Sequence, residues 1–542
     1  MLSRSFTSRT LLKLLCFVTF LVCRRACFSQ SQGLPNVSTA NLGASTSTIT
    51  ISGVVLNAVS GIAIPRVLVQ WNGQAILTDH EGKFLFDQVD SISRANSLQV
   101  NKPGFYAGPD GDTVANISLP ADQPNTTVTI RLFPEGLLSG TLSATDGTPL
   151  SRVLVIAQRS TYNDGSHQWN PSGQNQTNSR GEFRIVVPPG DYRLETGYVP
   201  HFAGTPNSII SSIYPAITSS ETSSAIHLSA GAEERITLHP DVVPTYPVAL
   251  KIEQVGERNF PRIMARSSTG ATIPVSFMRF EPGGGGSKIE LPLGTYTLAA
   301  SMNMGEASEY GETSVTVTGQ NTPEAVLRMA SVAAIPVEVV IDQGSAATSD
   351  KVPIPQQFGL MLTAMQQSSF FGNPSVGVMQ NRDRSYFHPS PGTYRLVSRS
   401  NGQWFIKSAV YGATDLLQQD LVVAQGSGSS PIVLTVSNQT GSLQGTAKLA
   451  GIPASAWIYL IPSSPAANSI YSVRSSPAGV FNFAYLPSGS YRAIGFELRH
   501  EDNYRDPDAL SKYTTFTRTV TITAGNKTSL DLDAVSAAEM LP

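Results

Sequence analysis

The sequence predicts an all-β chain of about five tandem β-sandwich domains in an elongated array, and three observations predict it. First, a phrase returns along the chain: a small polar residue, a gap and Gly-x-Phe-x-apolar, then Pro-Gly-x-Tyr or Pro-x-Gly-x-Tyr. It is complete at Thr177, Gly181, Phe183, Ile185, Pro189, Gly190 and Tyr192, and again at Ser475, Gly479, Phe481, Phe483, Pro487, Gly489 and Tyr491. Its first half recurs at Thr78, Gly82, Phe84 and Phe86, and its second half at Pro292, Gly294, Tyr296 and at Pro391, Gly392, Tyr394. Second, only 14% of residues are charged while Gly (45) and Pro (36) are abundant, which favours turns and short strands over long surface helices. Third, 542 residues are too many for one sandwich of about 100 residues and suit several.

The N-terminus carries Arg4, Arg9 and Lys13, an apolar stretch from Leu14 to Val22, then small and polar residues up to Gly33. This is the layout of a secretory signal peptide over residues 1–29, with cleavage expected after Ser29. The stretch falls short of the roughly 20 apolar residues that a spanning helix requires. All three cysteines, Cys16, Cys23 and Cys27, lie in this leader, so the mature chain is expected to lack disulfides, thiolate metal sites and Cys nucleophiles. Arg24 and Arg25 ahead of Cys27 fit a lipoprotein signal poorly. No later run is long enough to cross a bilayer as a helix, so no transmembrane segment is expected after signal removal and the product is read as secreted, periplasmic or cell-surface.

Residues 30–47 are polar and aperiodic and read as a flexible leader. In the first domain, Ile49, Ile51, Val54 and Leu56 are strand material, Ser60-Gly61 turns the chain, and Val67, Val69 and Trp71 alternate on one face. The second domain repeats the order with Leu138 to Leu142, Asp146-Gly147-Thr148-Pro149, then Val153, Val155 and Ala157. The fifth repeats it with Leu443 to Thr446, Gly451-Ile452-Pro453, then Trp457, Tyr459 and Ile461. Each unit then closes on two alternating strands, read as a β-hairpin: Ile226 and Leu228 with Ile236 and Leu238, Val315 and Val317 with Val326, Val520 and Ile522 with Leu530 and Leu532. Looser versions span residues 117–132 and 421–436. The domains are therefore placed at 48–134, 135–243, 244–333, 334–436 and 437–537, with a tail at 538–542. Linkers of a handful of residues predict a semi-rigid, rod-like string.

In the phrase, Gly82, Gly181 and Gly479 turn the chain with positive φ, and the large residues two and four places on enter one core face. The Tyr buries its ring and caps a backbone group with its hydroxyl, as a tyrosine corner does. These residues match a family. The order of apolar-Gly-apolar, Gly-x-Pro turn, Val strand and the phrase over 48–134, 135–200 and 437–497 resembles the carboxypeptidase regulatory-like domain. That is a prealbumin-like, seven-stranded, Ig-like sandwich of the carbohydrate-binding-like fold, met in tandem in secreted bacterial proteins. The match is weaker over 244–436. The resemblance implies a module that stiffens, spaces or binds without catalysis.

The chemistry-bearing residues are scattered. The seven histidines form no His-Glu-x-x-His or His-x-His spacing, and no Gly-x-Ser-x-Gly elbow is present. The Gly283–Gly286 run lacks the Lys-Ser/Thr of a phosphate loop. His227 and His239 are read as projecting from the outer face of one hairpin, as solvated side chains rather than a metal pair. Asp110-Gly111-Asp112, and Glu501-Asp502 with Asp506 and Asp508, are read as solvated loops, with calcium as the alternative. A net charge of -2 with no basic run excludes nucleic acid as a partner. Trp71 and Trp457 are read as core, whereas Trp169 sits in the polar run His167 to Pro171, read as a loop between strands, and is the candidate ligand-binding residue. The reading is a monomeric, non-enzymatic scaffold or interaction protein without cofactor or metal, its partner an unidentified protein or a glycan.

Overall fold

The computed structural model describes residues 48–90, 97–108, 113–118, 125–163, 166–215, 225–253, 261–268, 272–274, 287–303, 308–342, 354–365, 375–381, 384–399, 402–424, 430–463, 469–504 and 506–540. The expected signal peptide, the leader, the cysteines, Asp110 to Asp112 and Gly283 to Gly286 lie outside them. The chain is all-β, a tandem series of β-sandwiches. Buried side chains gather in separate cores spanning 51–132, 138–238, 248–329, 335–436 and 443–534, with a further cluster of Tyr459, Phe496, Tyr504 and Tyr513 on the fifth unit.

One topology recurs in every unit. The first strand lies between the fourth, antiparallel to it, and the last, parallel to it; the opposing sheet has the order third, second, fifth, sixth. In the second unit these strands are Gly136–Leu142, Leu154–Asn163, Ser166–Gln176, Glu182–Val187, Gly190–Thr196, Ile226–Leu228 and Glu233–Leu238. Parallel pairing of first and last strands holds for Thr48–Asn57 with Asn125–Pro134, Val242–Glu253 with Ala325–Arg328, Ile335–Ile341 with Ile432–Ser437, and Thr440–Leu449 with Lys527–Ser529 and Leu532–Val535. The third and fourth units, where the sequence pattern is faint, share it in full.

The two closing strands are therefore not a hairpin. In the second unit Ile226–Leu228 pairs with Gly190–Thr196, while Glu233–Leu238 pairs with Gly136–Leu142 in the other sheet. The fifth unit does the same with Arg518–Ile522 and Lys527–Ser529. Alternation reports that each strand buries one face, and two strands facing each other across a core alternate just as two strands side by side do.

The phrase is built from three devices. The small polar residue is buried and stitches the second strand to the turn before it: Thr177 Oγ1 accepts from the Val153 amide at 3.0 Å and donates to the Leu150 carbonyl at 2.6 Å. Thr78 does so with Val67 and Ile64, and Ser475 with Ala456 and Ala454. Gly82, Gly181 and Gly479 take φ of 69°, 75° and 79°, as expected from their turn position. The Phe two places on lies directly opposite a glycine of the first strand, giving the pairs Gly53 and Phe84, Gly140 and Phe183, Gly445 and Phe481. The tyrosines form corners: Tyr192, Tyr394 and Tyr491 donate to the carbonyls of Pro188, Ser390 and Pro487 at 2.6, 2.8 and 2.7 Å. Burial raises Tyr192 and Tyr394 to about 12.

Trp71 is core, as expected, but Trp457 is not in the main core of its unit. Its place is that of Leu154, because the strand partners of the corner tyrosines align Val153 with Ala456. Ile458 and Leu460 enter the core, while Trp457, Tyr459 and Ile461 face outward under residues 500–516. A register error of one residue exchanges the two faces of a strand. His227 and His239 also separate: His227 Nδ1 meets Asp191 at 2.9 Å on one sheet, and His239 Nδ1 meets Ser143 Oγ at 3.1 Å beside the other.

Candidate ligand-binding face of the second sandwich

Trp169 lies on a strand and not in a loop. The polar run His167 to Pro171 continues Ser166–Gln176, which pairs with Leu154–Asn163 through a register shift after Ala157. Backbone pairing carries the strand past the apolar residues that mark it in sequence, so that Gln158 to Asn163 and Ser166 to Pro171 extend the hairpin. Ser160 opposes Trp169 and Tyr162 opposes His167, placing all four on the outward face.

On that face the rings meet edge to face: Tyr162 and His167 at 5.3 Å, His167 and Trp169 at 5.2 Å. Ser160 Oγ lies 2.8 Å from His167 Nε2, and Asn170 donates to Thr161 at 2.7 Å. The guanidinium of Arg193 sits 4.9 Å from the centre of the Trp169 ring. Trp169 is part-buried while Arg193 is only 7% exposed, so the ring covers the cation and what remains of its surface faces away from it. Burial, then the charges of Asp502 and Asp191, raises the Tyr162 phenol above its usual range.

Beneath the aromatic row is a polar chain that sequence reasoning missed. Arg193 Nε donates to Gln158 Oε1 at 2.5 Å, Gln158 Nε2 donates to Glu195 Oε2 at 2.7 Å, and Ser211 reaches Glu195 Oε1 at 3.4 Å. Gln158 is 2% and Glu195 0% exposed. In the fifth unit the corresponding places hold Ile461 and Ile494, both buried. The fifth unit keeps an arginine, Arg492, in the place of Arg193 and fills the other two places with isoleucine, so burying Gln158 and Glu195 in the second unit carries a desolvation cost that the fold itself does not require. In sequence, Arg193 and Glu195 alternate with Tyr192 and Leu194 and read as a solvated face; nothing in that alternation signals a cover.

The acidic loop of the fifth unit is committed locally. Asp506 caps the turn of Pro507–Tyr513 by accepting from the Asp508 amide at 2.9 Å, Asp502 accepts from the Asn503 amide at 2.7 Å, and Glu501 lies 3.6 Å from Arg499. Among the described residues no group of three or more His, Cys, Asp or Glu is placed to hold a metal ion.

No protein-family model and no curated protein matches the chain. Among solved structures it is similar to the minor pilin GBS52 of Streptococcus agalactiae, at 17% identity and TM-score 0.20 over 39% of this chain and 100% of that one. A streptococcal ancillary pilin is similar at 11% identity and TM-score 0.17, over 54% of this chain and 99% of that one. The Bacillus anthracis TIE protein is similar at 13% identity and TM-score 0.17 over 52% of this chain, which spans about half (51%) of that protein. Likeness at this level carries no conclusion about activity or partner.

Proposed function

We propose that this chain is an exported, non-catalytic, multi-domain β-sandwich protein, a cell-surface or periplasmic scaffold built from carboxypeptidase regulatory-like modules. The observation behind the reading is the fivefold recurrence of one seven-stranded topology, with its first and last strands parallel, through units whose surfaces differ. Tandem copies of one module supply length and stiffness, and their variable faces supply contacts. No helix among the described residues is long and apolar enough to cross a membrane. An extended small-angle scattering profile for residues 30–542 supports this reading, and a globular radius of gyration overturns the rod.

A second reading, a carbohydrate-binding accessory protein, is favoured by the second unit's face. Trp169 lies over Arg193, beside His167, Tyr162 and Ser160, on an edge hairpin. Fixed aromatic rings with polar neighbours suit the apolar faces and hydroxyls of sugars. A glycan and polysaccharide screen, with and without calcium, tests it. Saturable binding lost in Trp169→Ala supports the accessory reading; silence, or binding that survives the substitution, leaves the scaffold.

A further inference from the structure

The expected boundary near residue 243 falls inside a strand. Val242–Glu253 is 12 residues long and belongs to two sandwiches. At its start, Val242, Val243 and Pro244 pair with Ile209, Ser208 and Asn207 of the second unit. From Thr245 to Leu250 it pairs with Ser287–Pro292, and from Leu250 to Glu253 with Ala325–Arg328, both of the third unit. Among the described residues no other strand pairs in two units. The cores interlock to match: Val242 packs on the second core, while Tyr198 of the second unit packs on the third.

A polar chain closes the seam. Tyr198 donates to Ser208 at 3.4 Å, Ser208 and Thr245 hydroxyls lie 3.2 Å apart, and Thr245 donates to Glu290 at 3.0 Å. His201 Nε2 meets the same Glu290 oxygen at 3.1 Å. His201 is held at φ 47° and Ala203 at φ 54°, a left-handed bend rare outside glycine that brings the 198–206 segment onto the third unit. Ser208 is fully buried and Thr245 5% exposed, so their link cannot be exchanged for water without opening the seam, while His201 and Glu290 stand at its part-exposed rim.

We infer that the second and third sandwiches form one cooperative block, which opens as a unit while the fourth opens separately. A strand shared by two sheets cannot leave one without removing hydrogen bonds from the other, whereas the remaining junctions, such as Glu135 between Asn125–Pro134 and Gly136–Leu142, join strands that each pair within a single unit. The inference stands whether the chain is a spacer or a glycan binder.

Hydrogen exchange on the full chain tests it. Leu291→Ala empties a fully buried site of the third core. It is expected to speed exchange at the Ile209 and Val199 amides of the second unit in parallel with those of the third, by at least ~10-fold, with the fourth unit unchanged. Should that variant fail to fold, Leu291→Val gives the same pattern at smaller amplitude. Thr245→Val, which removes the middle of the polar chain, is expected to lower protection at both Ile209 and Val248. The inference is overturned if the third unit opens while Ile209 and Val199 keep the parent's protection. It is equally overturned if Leu434→Ala in the fourth core opens the third unit to the same degree, since coupling would then need no shared strand.

Discussion

Replacing Gly140 with alanine tests the construction of the repeated phrase. A Cβ at Gly140 would fall on the carbonyl oxygen of Ile236 in the parallel last strand, deep inside van der Waals contact, and 2.9 Å from Cε1 of Phe183. Carbon atoms rest at about 3.5–4.0 Å, so the Phe183 ring must retreat by roughly 0.6–1 Å and the last strand by more. Alanine returns about 0.4–1 kcal/mol by restricting the unfolded chain, and overpacking a filled core costs about 1–3 kcal/mol. With backbone as the obstacle the upper end applies, and a net loss of about 2–3 kcal/mol is expected in the second unit. Gly445 faces the Leu530 carbonyl equally closely and Phe481 at 2.8 Å, whereas the backbone obstacle at Gly53, the Val128 carbonyl, lies farther off. The expected order of damage is therefore Gly140→Ala and Gly445→Ala above Gly53→Ala. Denaturant-dependent hydrogen exchange, read unit by unit, measures each. Parent stability in Gly140→Ala, or a larger effect at Gly53, refutes the reasoning.

Phe481→Ala, at a position 2% exposed, is expected to cost about 3–5 kcal/mol in the fifth unit, seen as early melting of that unit alone. Thr177→Val keeps the shape of the buried residue but leaves the Val153 amide and Leu150 carbonyl without their partner, a loss of about 1–3 kcal/mol by urea titration; a neutral result would mean water replaces the hydroxyl. His500 stacks on Phe496 at 4.2 Å, its Nδ1 2.7 Å from the Tyr504 hydroxyl, and burial pushes it down to about 4. Its unfolded value is near 6.5, so the unfolded chain binds the extra proton first. The stability from keeping the ring neutral is whole above about pH 6.5 and declines as pH falls, by about 3 kcal/mol at pH 4. His500→Phe should flatten that part of the fifth unit's pH profile, and an unchanged profile would sink the assignment.

Much of the fold was legible because the repeats carry their reasons in side chains. The turn glycines and the corner tyrosines do in the structure what their type and spacing suggest, whereas the buried stitch made by Thr78, Thr177 and Ser475 emerges only with the fold. What escaped was long-range. Period-two alternation in Ile226 to Leu238 could not say whether two strands share a sheet or face each other across it. The place of Trp457 hung on one residue of register. Trp169 was found as a candidate, but its run of polar residues hid a strand, because on an extended hairpin the backbone bonds and not the side chains hold the pair. Gln158 and Glu195 look solvated in sequence and are buried, since their cover comes from Arg193 and from Ser211, more than 15 residues further on.

Parallel pairing of first and last strands decides how each unit would carry tension. The chain enters at the start of one strand and leaves at the end of its parallel neighbour, so entry and exit lie at opposite ends of the same ladder. A pull along the chain then slides the two strands past each other. In the first unit all eight registered positions, from Thr50 against Asn125 to Asn57 against Leu132, must yield together, whereas an antiparallel pair joined at one end would unzip one bond at a time. A pull on the two ends of a unit is thus met by the whole ladder at once.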